Sequence, residues 1–192
     1  MRIFIPLFFI HFFLSGCSTI ATGGAEVSGL ALLHDRRSSK VIFNDERIEI
    51  NAGLELNSHD DIRDNCHFNV TAYNGMVLVT GEAPTEKQRN KIIYIVRTIE
   101  GVKLVHNELK IAQPTSFVSR SKDSLITTKV KSSLSKIKNL PGFDATRVKV
   151  ITENGVVYLL GLVHKNEGHV ATEIARRETD VKQVVKIFEY IE

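Results

Sequence analysis

The chain has 192 residues, a formal net charge of +3, 43% hydrophobic and 7% aromatic residues, and no Trp. That balance excludes an acidic disordered tail, a collagen-like chain and a protein of many membrane spans, which need charge excess, Gly/Pro periodicity or repeated apolar runs of roughly 20 residues. Two Cys cannot build a disulfide framework, and neither sits in a CxxC or Cys/His spacing that suggests zinc.

Met1-Arg2 and the apolar run Ile3 to Leu14 have the basic and apolar regions of an export signal, in a run too short to span a bilayer. Leu14-Ser15-Gly16-Cys17 then ends the run with small residues and a Cys and resembles a bacterial lipobox. That resemblance implies a signal peptide over 1–16, acylation of Cys17 as the first mature residue, and, because Ser18 stands where a retention signal would carry Asp, delivery to the outer membrane. Cys66 then remains as a lone thiol and reads as a small hydrophobe just before a strand. Residues 17–44 are small, polar and weakly periodic and predict a flexible tether.

Beyond it the chain repeats itself. Val70 to Gly81, around Asn74-Gly75, lies over Val150 to Gly161, around Asn154-Gly155. Asp45, Ile48, Ala52 and Leu56 parallel Asp123, Ile126, Val130 and Leu134, and Val102, Val105 and Leu109 parallel Val181, Val184 and Phe188. Each copy opens with apolar residues at helical spacing, continues with two strands around an Asn-Gly pair suited to a type I′ turn, and closes with a second helix and a last strand. In the first copy Thr85 to Gln88 is a capping box and Gly101 a stop signal. In the second, the helix near Asn166 to Arg177 tolerates Gly168 at a cost of about 1 kcal/mol. The predicted class is α+β: two tandem units, 45–112 and 123–192, joined by a linker over 113–122. Each is helix-strand-strand-helix-strand, a three-stranded mixed sheet packed by two helices. At about 70 residues each core is thin, so the units are expected to lean on each other or on the membrane.

The two ordered copies and the lipobox together resemble the dual BON-domain outer-membrane lipoproteins of Gram-negative bacteria, the division- and outer-membrane-stress-associated lipid-binding lipoprotein family. The resemblance covers roughly Asp45 to Glu192. It implies a non-enzymatic, outer-membrane-anchored protein with its body in the periplasm, binding of anionic, phosphatidylglycerol-like phospholipid through the second BON domain, and upkeep of envelope integrity.

Charge supports that asymmetry. Residues 45–112 carry 8 Lys/Arg against 11 Asp/Glu, and 113–192 carry 13 against 9. Basic residues near an anionic bilayer contribute about 1 kcal/mol each. With Ile126, Val130 and Leu134 facing the sheet, Leu125, Thr128, Lys129, Ser132 and Lys136 point sideways or outward, and with Lys131 they form the candidate lipid-binding set. Leu125 reads equally as an inserted residue or as one that staples the helix start. An aromatic residue would anchor more firmly at the headgroup level, and the second copy's first helix, read from Ser124, offers none.

No HExxH, GxSxG, P-loop or GxGxxG occurs. Asp60, Asp61 and Asp64 lack the spacing of a calcium loop. No catalytic residue, metal, cofactor or nucleic-acid partner is therefore expected. The competing function is a protein-interaction adaptor that uses the acidic first unit to contact an outer-membrane assembly or peptidoglycan-remodelling partner.

Overall fold

The structure, a computed structural model, describes residues 34–192. The signal segment, Cys17 and residues 18–33 of the expected tether lie outside the described residues.

In the first unit, helix α1 (Ser39–Asn57) starts from Ser38, whose side chain accepts from the Val41 amide. It buries Asp45, Ile48, Ala52 and Leu56. A single turn, α2 (Asp60–Arg63), leads into strand β1 (His67–Tyr73), the Asn74-Gly75 turn and β2 (Met76–Ala83). Helix α3 (Glu86–Thr98), capped by Thr85 through the Gln88 amide, crosses back to β3 (Leu104–Ile111). The second unit repeats the order with α4 (Phe117–Ser135), a short 3₁₀ turn (Ala145–Arg147), β4 (Lys149–Glu153), β5 (Val156–His164), α5 (Lys165–Arg177) and β6 (Gln183–Ile191). In both sheets the second strand is central: β2 pairs antiparallel with β1 and parallel with β3, and β5 does the same with β4 and β6. The expected element order and mixed sheets are present twice.

The two boundaries differ from expectation. α1 begins within the stretch read as tether, at Ser39, and α4 begins at Phe117, inside the stretch 113–122 read as linker. Ser38 and Ser116 cap these helices at equivalent positions, each accepting from the amide three residues on. The segment before α1 is pinned by contacts distant in sequence. Arg36 donates to Glu167 at 2.6 and 2.9 Å and to the Leu162 carbonyl at 3.0 Å. Arg37 donates to Asp45 at 2.7 Å and stacks 3.7 Å over the Tyr73 ring.

The Asn-Gly turns have the positive φ that type I′ geometry demands: 52° and 77° at Asn74 and Gly75, 54° and 78° at Asn154 and Gly155. Each is held from the leading helix. Asp45 accepts from the amides of Asn74 and Gly75 at 2.7 and 2.8 Å, and Asp123 accepts from those of Asn154 and Gly155 at 2.9 and 2.8 Å. A buried carboxylate that collects turn amides repays its desolvation through charge-assisted bonds, which explains why a charge recurs in an otherwise apolar stripe. Gly168 sits in a tight spot, since a Cβ there would lie 3.0 Å from the Tyr190 ring and 3.1 Å from that of Phe188, so the rings would have to give by a few tenths of an ångström. Cys66 is half-buried against the first core, and burial, followed by the charge of Asp61, pushes its thiol pKa up.

Alternation along the central strands builds four layers. Val77 and Val79 face α1 and α3, and Val157 and Leu159 face α4 and α5. Leu78, Tyr158 and Leu160 turn the other way and, with Tyr73, Val156 and Ile187, form a third core between the two sheets. The units thus lean on each other, sheet against sheet, and β2 and β5 are buried on both faces.

Candidate membrane-binding helix

α4 crosses the outer face of the second sheet. Asp123, Ile126, Val130 and Leu134 point inward at three- and four-residue spacing, and the Thr127 hydroxyl donates to that of Thr152 at 2.7 Å. The opposite face is apolar at its start and basic along its length. Phe117, Val118 and Leu125 are 76%, 64% and 62% exposed. Steps of four and three residues from Phe117 through Ser121, Leu125, Thr128 and Ser132 keep that face in line. Arg120, Lys122, Lys129 and Lys131 stand against a single carboxylate, the buried Asp123.

Of the expected lipid-binding residues, Leu125, Thr128, Lys129, Ser132 and Lys136 share this outward surface. The Thr128 hydroxyl donates to the Ser124 carbonyl at 2.9 Å, so it is engaged within its own helix. Lys129 Nζ lies 3.3 Å from Asp180 Oδ2, an exposed pair of the kind worth little in water. Lys131 is exposed as well, on the side of the helix toward β4, where partial burial, then the like charge of Lys149, pushes its pKa down.

The sequence reading missed Phe117, Val118 and Lys122, because it started this helix near Ser124. The signal that finds them is Ser116 two residues after Pro114, a cap following a break. Phe117 also supplies the aromatic residue that the second copy was expected to lack. The helix thus starts about two turns before the position expected from the sequence.

The first unit carries its own exposed apolar row: Phe43, Ile50 and Leu54 on α1 are 62%, 60% and 68% exposed. Its setting is acidic, with Asp45, Glu46, Glu49 and Glu55 against Lys40 and Arg47. No helix among the described residues is long and apolar enough to cross a membrane.

Comparison with known proteins bears on the family of the chain. The BON domain matches residues 44–113 and 122–192. The chain is 34% identical over 183 residues to the outer membrane lipoprotein DolP of Haemophilus influenzae, spanning 94% of this chain and 91% of that one. It is 35% identical over 161 residues to the 21 kDa hemolysin of Actinobacillus pleuropneumoniae, spanning 82% and 80%. A solved C-terminal domain of CdsD, a structural protein of the type III secretion system of Chlamydia trachomatis, aligns with 77% of this chain and 67% of its own at 15% identity. Its TM-score is 0.30, too low to bear on the fold. With both copies matched and most of its length shared with these relatives, the chain belongs to the BON domain family and carries two BON domains in tandem.

Proposed function

We propose that this chain is an outer-membrane-anchored lipoprotein, acylated at Cys17, whose second BON domain binds anionic phospholipid through α4 and so helps to maintain envelope integrity. The observation that carries the reading is the exposed row Phe117, Val118 and Leu125 on a helix of four basic residues and one buried acid. Shallow apolar insertion combined with headgroup attraction is how an interfacial helix holds a charged surface. The lipobox and a relative named as an outer membrane lipoprotein support the anchor and its membrane.

The test is flotation of a chain lacking residues 1–17 on vesicles with and without phosphatidylglycerol. Binding should require the anionic lipid and weaken as salt rises, because exposed charges are screened beyond about 8 Å at physiological ionic strength. Leu125→Glu and Phe117→Glu should each weaken it about tenfold or more, since each removes an inserted residue and adds repulsion. Ile50→Glu on α1 should leave it unchanged. Equal loss from all three variants would refute the assignment to α4. Loss of fatty-acid labelling in Cys17→Ala tests the anchor separately.

One observation favours a second reading. The Phe43, Ile50 and Leu54 row sits in an acidic setting that an anionic bilayer would repel, and it suits a protein partner of basic character. On that reading the first unit serves as an adaptor while the second holds the membrane. Ile50→Glu would then disturb envelope integrity without changing vesicle binding.

A further inference from the structure

The interface between the sheets has two ends related by the duplication. Tyr73 of the first unit meets Leu162 of the second, its hydroxyl accepting from the Leu162 amide at 3.2 Å. Tyr73 corresponds to Glu153 and Leu162 to Glu82, so the reciprocal contact brings two carboxylates together. The first end is rich in cations: Arg36, Arg37 and Arg147 pair there with Asp35, Asp45 and Glu167. At the second end the counterpart of Arg147 is His67 and that of Arg37 is Thr115. Glu82 and Glu153 are 1% and 4% exposed. Among the described residues no Lys or Arg pairs with either of them, and the one base in reach is His67.

Two buried carboxylates facing a single imidazole are a costly arrangement. Removing even one such charge from water costs several kcal/mol unless a counter-charge is present. The donors around them organise the pair without neutralising it. Asn154 Nδ2 donates to Glu82 Oε1, and the Thr115 amide and hydroxyl donate to Glu82 Oε2 at 3.3 Å. Asn69 Nδ2 and the Thr80 hydroxyl both donate to Glu153 Oε2, at 3.1 and 3.3 Å. Glu153 Oε1 takes none of these donors and lies 3.8 Å from His67 Nδ1, while Glu82 Oε2 lies 3.1 Å from the same nitrogen.

One ligand atom from each of these residues, on β1, β2 and β4, can be chosen so that all three fall within 4.8 Å of one another. Zinc binds imidazole nitrogen and carboxylate oxygen at about 2.0–2.2 Å, which sets neighbouring ligand atoms of a tetrahedron about 3.4 Å apart, between the two distances observed. A mixed imidazole and carboxylate set suits zinc, or manganese and similar ions, better than magnesium or calcium, which take oxygen alone. Glu82 also lines, with Asn154, an open cleft of about 490 Å³ between the units, so one of the three residues is reached from solvent.

We propose that His67 Nδ1, Glu82 Oε2 and Glu153 Oε1 form a divalent transition-metal site that staples the two BON domains together. Two ligands come from the first unit and one from the second, so the ion binds only the docked arrangement and stabilises it by mass action. No spacing in the sequence shows this set, because His67 and Glu82 lie in one repeat and Glu153 in the other.

The experiment uses the whole chain in detergent, stripped with a chelator and dialysed, then titrated with zinc by calorimetry alongside thermal unfolding. One zinc should bind per chain and raise the unfolding midpoint, and millimolar magnesium should do neither. Glu153→Gln keeps an oxygen to accept from Asn69 and Thr80 and should weaken zinc binding more than about a hundredfold, beyond what loss of a merely supporting group causes. His67→Gln should do the same. Cobalt provides a second readout, since the tetrahedral visible absorption of the wild-type complex should vanish in both variants. Absence of stoichiometric binding to the folded wild-type chain, or binding and absorption unaltered in the two variants, overturns the proposal.

Discussion

α1 and α4 are the same length, start from the same Ser cap and steady the same Asn-Gly turn with the same Asp, yet they present opposite surfaces. At a spacing of 78 the inward residues correspond closely: Asp45 with Asp123, Ile48 with Ile126, Ala52 with Val130, Leu56 with Leu134. Outward they do not: Ser39 stands against Phe117, Arg47 against Leu125, Ile50 against Thr128, Leu54 against Ser132. Packing to crystal-like density constrains the inner face of both copies, whereas solvent leaves the outer face free to diverge. On these two helices, what distinguishes the BON domains therefore lies on the faces that packing does not dictate.

The comparison breaks first, and by the largest amount, at the turn-holding carboxylates. Asp45→Ala frees two turn amides and also removes a partner of the Arg37 guanidinium, and should cost about 3–5 kcal/mol, the range for breaking a buried pair. Asp123→Ala strands only the two amides and should cost about 2–3 kcal/mol. Urea unfolding of the two variants measures the gap, and equal losses would mean that Arg37 adds nothing to the first copy.

Gly168 sharpens the contrast between the second helices. The first unit places Arg89 at the matching position, above Leu109 and Ile111 where the second has Phe188 and Tyr190. The larger rings in β6 would have to shift by a few tenths of an ångström to admit a Cβ. Gly168→Ala, which in an open helix would stabilise by about 1 kcal/mol, should here destabilise by about 1–3 kcal/mol. A rise in melting temperature would mean that the rings move aside.

The cationic end of the interface has a pH signature. Burial works to raise the Glu167 pKa, but Arg36 and the His164 amide outweigh it and hold the carboxyl below its ordinary value. A depressed folded value means that the stabilisation is complete above the unfolded carboxylate pKa of about 4.3 and is lost as pH falls through the folded one. Glu167→Gln should thus be less stable at pH 7 and should lose less on acidification, so the two stability curves converge toward pH 3. Parallel curves across that window would show that the carboxyl titrates alike in both states.

Single lysines of α4 should give the smallest effects. Lys129→Ala, on the outward face, should weaken vesicle binding about fivefold at low salt, equivalent to about 1 kcal/mol. Lys131→Ala, on the flank beside Lys149, should do less. The reverse ranking in flotation would rotate the membrane-facing surface toward β4.

Much of this was legible in the residues. Helical spacing at Ile48, Ala52 and Leu56, the Asn-Gly pairs and the Thr85 cap are local signals, each complete within a few positions, and the duplication let one copy check the other. The starts of α1 and α4 were missed because their first turns add little to the apolar stripe, half-buried Val41 and Ile42 in α1 and no buried residue in α4, leaving Ser38 and Ser116 as the clearest signals. Asp45 and Asp123 were visible as matched positions, but their role was not, since the amides they hold lie about 30 positions away.

The sequence by itself determined two BON units, their element order, the lipobox, and the basic bias of the second copy, because periodicity, turn chemistry and charge are properties of neighbouring residues. The tertiary structure decided which sheet faces meet, that α4 starts early enough to add exposed Phe117 to Leu125, and that His67, Glu82 and Glu153 converge across the interface. Those outcomes depend on helix phase and on contacts between the two copies, and no local pattern encodes the relative placement of two units that each satisfy the same internal rules.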